Sequence, residues 1–137
     1  MMPDDLTQLR LDVAKALGWE IVDQCERDDG VTRQIWALPD EPFCAHVFIS
    51  STGQTAIHGM PDWPHDLGAC QEVLDAIEAR GWRVRAQIPC DWTARNVVQL
   101  EICTERRSLC IVHTHTLPEA LCRAFVQAME AERCLTP

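Results

Sequence analysis

From Asp62 to Val126 the apolar positions follow a helical period, then a strand period three times, then a helical period again. Leu67, Cys70, Val73, Leu74 and Ile77 recur at spacings of three and four, which predicts one apolar helix face over Asp66–Arg80. Asp66 offers an N-cap carboxylate, Pro64 stands just before it, and Gly81 offers a left-handed C-terminal cap beside Arg80. The period then becomes two. Trp82, Val84, Ala86 and Ile88 alternate with Arg83, Arg85 and Gln87, and Pro89 stops the strand. A connection over Pro89–Asn96, carrying Asp91, Trp92 and Arg95, leads to strands over Val97–Cys103 and Leu109–Thr114. A hairpin turning at Thr104–Arg107 would pair Ile102 with Leu109, Leu100 with Ile111 and Val98 with His113 on one face. The opposite face would carry Val97, Gln99, Glu101, Cys110 and Val112. Thr116-Leu-Pro-Glu119 has the form of a capping box, and Leu117, Leu121, Ala124, Phe125 and Ala128 continue it as a helical stripe to Glu130.

The first sixty residues are patterned more loosely. Asp4 or Asp5 caps a helix with the stripe Leu6, Leu9, Val13, Ala16, Leu17, and Gly18 ends it. Strands are expected over Trp19–Gln24, Val31–Ala37, Cys44–Ser50 and Thr55–His58. The turns between them are Asp28-Asp29-Gly30, the two-proline stretch 38–43, and Ser51-Thr52-Gly53. Together these elements predict an α+β fold. Its form is a layered α/β sandwich of three helices and a largely antiparallel or mixed sheet of five to six strands, in one domain spanning 1–137.

No apolar run reaches the length of a membrane span, and Met-Met-Pro-Asp-Asp at the start has no leader-like apolar stretch. A cytoplasmic protein is therefore expected, away from membranes. Its eight cysteines never approach a C-x-x-C spacing, so reduced, mostly buried thiols are expected rather than disulfides or a zinc knuckle.

Three short stretches carry a likeness to a known family. They are Leu17-Gly18-Trp19 closing the first helix, the aspartate-rich lead into a helix ending Arg80-Gly81-Trp82, and Leu117-Pro-Glu-Ala-Leu-Cys-Arg-Ala-Phe125. Over residues 6–130 the layout resembles the phage ABA-sandwich domain, a family of small phage and prophage proteins. The resemblance implies helices layered about a sheet, in a phage or prophage accessory protein. The matching motifs are structural and bring no activity with them.

Charge separates the chain into regions. The net charge is −9, with 4 basic and 15 acidic residues in 1–79 but 6 basic and 3 acidic in 80–110. Phosphate neutralisation dominates nucleic-acid affinity, so this balance opposes direct nucleic-acid binding and suits a basic protein partner, from the phage or its host. Asp23, Glu26, Asp28 and Asp29 crowd one turn region; the bland reading is a solvated turn, the sharper one a docking patch for an arginine-rich surface. Arg83, Arg85, Arg106 and Arg107 would converge if the strand 82–88 neighbours the hairpin, and would suit carboxylates or phosphates. Their bland reading is a polar sheet face paired with Glu101 and Glu105. Trp63 and Trp92 lie off the periodic patterns and are expected to plug the core.

Catalytic signals are thin. Cys110, His113 and His115 form C-x-x-H-x-H, but strand alternation turns Cys110 away from the two imidazoles. Cys44 and His46 would complete a metal site only if their strand adjoined that one. No phosphate loop is present, and Ser50-Ser51-Thr52-Gly53 lacks the lysine and glycine spacing of one. The expectation is a non-enzymatic protein with no cofactor and no metal that acts by binding another protein. An anti-CRISPR-like counter-defence inhibitor is one concrete version. A metal-dependent hydrolase or nuclease and a small-ligand sequestering protein are the alternatives.

Overall fold

The computed structural model describes residues 5–88 and 97–135. The expected connection through Asp91, Trp92 and Arg95 lies outside them, as does Asp4. The described chain is α+β, with three helices and seven strands in two antiparallel sheets. It divides into two compact units, residues 1–61 and 62–137. No helix among the described residues is long and apolar enough to cross a membrane.

The first unit is helix α1 (Asp5–Ala16) followed by a meander of β1 (Glu20–Glu26), β2 (Thr32–Ala37), β3 (Cys44–Ile49) and β4 (Thr55–His58), hydrogen-bonded in that order. Gly18 ends α1 with a positive φ of 103°. The helix buries Leu9, Leu11, Val13 and Ala14. Its apolar face is thus rotated from the expected stripe: Leu6, Ala16 and Leu17 are only half-buried. Arg10 fastens the helix to the unit's far end, donating from Nε to the Pro61 carbonyl at 2.9 Å and from Nη2 to that of Met60. One sheet face carries Trp36, Ala45 and Val47, all buried, as strand alternation requires. The edge strand β1 is different, since all seven of its residues are exposed.

The second unit contains α2 (Gln71–Ala79), β5 (Arg83–Gln87), β6 (Val98–Cys103), β7 (Ser108–Thr114) and α3 (Leu117–Leu135). Its sheet order is β5-β6-β7, and α3 packs on β6 and β7 and meets α2. The five-to-six-stranded sheet expected from sequence is thus realised as one sheet in each unit.

The expected helix over Asp66–Arg80 is shorter than its periodicity. Residues 67–70 form turns, and α2 begins at Gln71. Asp66 does cap, but locally: its Oδ1 accepts the N–H groups of Gly68 at 2.9 Å and Ala69 at 3.3 Å. Such a side-chain bond competes with helical pairing, and Gly68 weakens the helix further. Leu67, assigned to the apolar face, is 54% exposed as a result. Cys70, Val73 and Ile77 are buried as expected. Gly81 closes the helix with φ 76°, and Arg80 reaches Glu132 of α3 at 2.7 Å. Trp63 is fully buried and donates its Nε1–H to Glu72 at 3.0 Å, so it plugs this unit's core as expected.

The β6–β7 register corrects the expected hairpin. Ile102 faces Cys110, Leu100 faces Val112 and Val98 faces Thr114, while Cys103 faces Ser108. Leu109 is therefore an extra residue, and every β7 side chain beyond it changes face. The expected register would have buried His113; this one turns His113 out and leaves Ile111 49% exposed. Burying an imidazole without partners is costly, whereas the residues buried instead are Val112, half-buried Cys110 and Thr114. Cys110 donates its thiol to the Ala124 carbonyl of α3 at 3.1 Å.

Thr114 solves its own burial through the start of α3. Its hydroxyl donates to the Glu119 carboxylate, which also accepts from Arg123 Nε at 3.0 Å. Thr116 Oγ1 accepts the Glu119 N–H at 3.3 Å, so half of the expected capping box forms. The other half does not, because the carboxylate is turned to Thr114 and Arg123. Burial alone would raise the Glu119 pKa, but these two donors outweigh it and hold the carboxyl below its ordinary range. A depressed carboxyl stabilises the fold above its unfolded pKa, and that stability is lost as pH falls through the folded value. Glu119→Gln should therefore flatten the acid side of the stability profile, measured as urea midpoints from pH 7 downward. Parallel profiles for the two proteins would contradict it.

Candidate functional site

The acidic cluster sits on the β1–β2 hairpin. The hairpin closes through Arg27 N–H to the Val31 carbonyl at 2.8 Å and Gly30 N–H to the Arg27 carbonyl at 3.0 Å, with Gly30 at φ 82°. That left-handed residue is why the Asp-Asp-Gly run can turn the chain here. Asp29 Oδ1 accepts the Val31 N–H at 3.1 Å and its Oδ2 lies 3.6 Å from Arg27. Glu26, Arg27, Asp28 and Asp29 line one shallow depression at the tip. Glu26, Asp28 and Asp29 are therefore brought together, with Arg27 as a single cation among them. Asp23 stands apart along β1, across from Ile35 of β2, with its Oδ1 accepting the Gln24 N–H at 2.9 Å.

A bulge between Ile21 and Asp23 changes which acids share a face. Glu20 faces Ala37 and Asp23 faces Ile35, two positions apart on β2. The two carboxylates thus lie on one side of the sheet despite a sequence spacing of three. Glu20 is a site residue that the sequence pattern hides, because only the bulge aligns it with Asp23. Ile21 and Val22 between them are 43% and 59% exposed.

The four arginines are distributed over one end and one face of the second sheet. β5 does neighbour the hairpin, as their convergence required. Arg83 faces Cys103, beside the turn that carries Arg106 and Arg107. Thr104 Oγ1 builds that turn by accepting the N–H groups of Arg106 at 3.2 Å and Arg107 at 3.3 Å. Arg83 lies 3.4 Å from Glu105, and Arg85 faces Glu101. The bland reading thus holds for Arg83, whose ion pair is largely exposed and adds little to stability. All four arginines are nevertheless exposed.

His113 shares a hydrogen bond with Gln99 at 3.2 Å on the open face of its sheet, and His115 lies just beyond the end of β7. Cys44 and His46 are on β3, in the other sheet, and β3 is not hydrogen-bonded to β7. Among the described residues no group of three or more His, Cys, Asp or Glu side chains could hold a metal ion.

Sequence reasoning also passed over a cluster on the first sheet. His46 faces His58, and Phe48 stacks on His46 at 6.4 Å and meets His58 edge-on at 5.8 Å. The alternation Cys44-x-His46-x-Phe48 was its only sequence signal. Arg33 Nη2 lies 3.2 Å from His46 Nδ1, and an arginine can only donate. Nδ1 is therefore the acceptor, and the neutral ring carries its proton on Nε2. That nitrogen faces Cys44 Sγ at 4.0 Å. With Arg33 donating to Nδ1, the imidazole presents its N–H toward the thiol.

Among the described residues no disulfide joins two cysteines. Cys70, Cys103 and Cys122 are buried, Cys110 is half-buried, and Cys25, Cys44 and Cys134 are exposed. Cys70 donates to the Trp63 carbonyl at 3.1 Å. Donating to the Cys70 sulfur, together with burial, pushes the Cys122 thiol far above its ordinary range, and the same hydrogen bond lowers Cys70. Burial likewise raises Cys110. Cys110 and Cys122 thus sit as protonated thiols packed against α3 and its neighbours.

Set against known protein families, curated proteins and solved structures, the chain matches none.

Proposed function

We propose that this chain is a phage or prophage accessory protein that works non-enzymatically, by binding another protein through its acidic β1–β2 hairpin. The observation that carries the reading is β1 itself: seven consecutive exposed strand residues run into a tip lined by Glu26, Asp28 and Asp29. A strand with an open edge and a charged tip is a docking element. Its complement is a basic protein surface, since acids so grouped favour encounter with opposite charge. The phage context rests on the layout resemblance alone. One concrete version is an anti-CRISPR-like inhibitor whose acidic hairpin occupies the nucleic-acid channel of a host defence protein, in the host cytoplasm. With a net charge of −9 the chain would mimic nucleic acid rather than bind it.

The test is capture from host lysate at low salt, comparing the wild type with a protein reversed at Asp23→Lys, Glu26→Lys, Asp28→Lys and Asp29→Lys. The captured partner is then purified and titrated. Exposed ion pairs contribute about 0.2–1 kcal/mol each, so four lost pairs should weaken binding by at least about 4-fold. Equal affinity of the two proteins, or no specific partner for the wild type, would sink the reading.

A further inference from the structure

Among the described residues the edge strands are β1 and β4 in one sheet and β5 and β7 in the other, and of these β1 and β5 carry opposite charge. β1 is an edge of the four-stranded sheet and reads Glu-Ile-Val-Asp-Gln-Cys-Glu; β5 is an edge of the three-stranded sheet and reads Arg-Val-Arg-Ala-Gln. All of β1 is exposed, and every residue of β5 but Val84 is exposed as well. An open edge offers unpaired N–H and C=O groups to any second strand, and charged side chains are the usual defence against that.

The defence works against like edges. Antiparallel pairing of β1 with β1 of a second copy, centred on Asp23, opposes Asp23 to Asp23 and, counted through the bulge, Glu20 to Cys25, beside Glu26. Pairing β5 with β5, centred on Arg85, opposes Arg85 to Arg85. Like charges directly across a ladder are destabilising. Against the other edge the same charges attract.

The spacing also fits. Through the bulge, Glu20 and Asp23 lie on one face at a ladder separation of two, facing Ala37 and Ile35. Arg83 and Arg85 share one face of β5 at the same separation, facing Cys103 and Glu101. In an antiparallel ladder Glu20 falls opposite Arg85 and Asp23 opposite Arg83. Without the bulge, one acid would point to the wrong side.

We infer that β1 of one chain pairs antiparallel with β5 of a second copy, joining the four-stranded sheet of one molecule to the three-stranded sheet of the next. The interface is head-to-tail, so each joined pair keeps one open acidic edge and one open basic edge. Further copies add until a ring closes or a filament grows. This inference goes beyond the capture of a basic partner and uses purified protein alone, so its failure leaves the lysate result standing.

The experiment is sedimentation equilibrium of the full chain over a concentration series. At low salt the average mass should rise above that of one chain, and about 1 M salt should return it there by screening. Two variants follow: Glu20→Arg with Asp23→Arg, and Arg83→Glu with Arg85→Glu. Each alone should sediment as a single chain, because the positions that would face each other on its β1 and β5 then carry the same sign. Mixed one to one, they should associate again, since those positions on one then meet the opposite sign on the other. A wild type that stays at the mass of one chain throughout the series overturns the inference. So do variants that associate as the wild type does, or a mixture that stays dissociated.

Discussion

Phe125→Ala is expected to lower stability by about 3–5 kcal/mol, the range for truncating a buried aromatic. Phe125 is fully buried on α3, the helix that packs on β6 and β7. Its buried neighbours along the helix are Leu121 one turn before it and the small Ala120, Cys122, Ala124 and Ala128. Small side chains let the helix approach closely but cannot swing into the space a lost ring leaves. The cavity should therefore persist, which places the cost toward the upper end of the range. Ile111→Ala is the matching control. In the register expected from sequence Ile111 is a core residue, and its truncation would cost about 2–5 kcal/mol. In the observed register it is half exposed, and the cost should fall below about 1 kcal/mol. Urea unfolding of the two variants measures both numbers. Similar losses would mean that β7 pairs in the unslipped register.

That contrast marks where the chain was legible and where it was not. Alternation and capping placed β2, β3, β4 and α3 close to their observed ranges, and Gly18 and Gly81 closed their helices with positive φ as expected. These signals are local, acting within a turn or along one strand. Register is different, because it depends on what the partner strand and the covering helix can accept. The extra residue at Leu109 has no composition signal, yet it decides the direction of every later β7 side chain. Residues 66–70 show the converse. Their apolar spacing is helical, but the Asp66 carboxylate and Gly68 favour a local turn, and periodicity does not weigh that competition.

The candidate site followed the same division. The acidic run at the hairpin tip was readable, because Asp-Asp-Gly both turns the chain and concentrates the charge. The partnership of Glu20 with Asp23 was not, since three residues in sequence ordinarily means opposite faces and only a bulge makes it one. The arginines were readable as a group. That Arg83 spends itself on Glu105 depended on the turn bringing Glu105 back over β5.

Trp36→Ala should cost the first unit about 3–5 kcal/mol and reach the acidic hairpin as well. Trp36 is buried on β2 with the Lys15 ammonium 5.7 Å from its ring centroid. Its Nε1–H donates to Gln34 at 3.0 Å, and Gln34 donates in turn to Gln24 of β1 at 3.1 Å. β1 buries no side chain, so it gains little from the hydrophobic effect. Its attachment rests on the ladder to β2 and on this short side-chain chain. Truncating Trp36 removes the ring that orients Gln34, so the amides of β1 should lose exchange protection before those of β3. Trp36→Phe separates the two contributions: it keeps most of the apolar volume and deletes only the donor. Its stability loss should be smaller, about 1–2 kcal/mol, with the loosening of β1 retained. Hydrogen-exchange mass spectrometry reads both effects. If β1 and β3 stayed equally protected in both variants, the hairpin would have to be held by something other than Gln34, and the open edge would be firmer than its exposure implies.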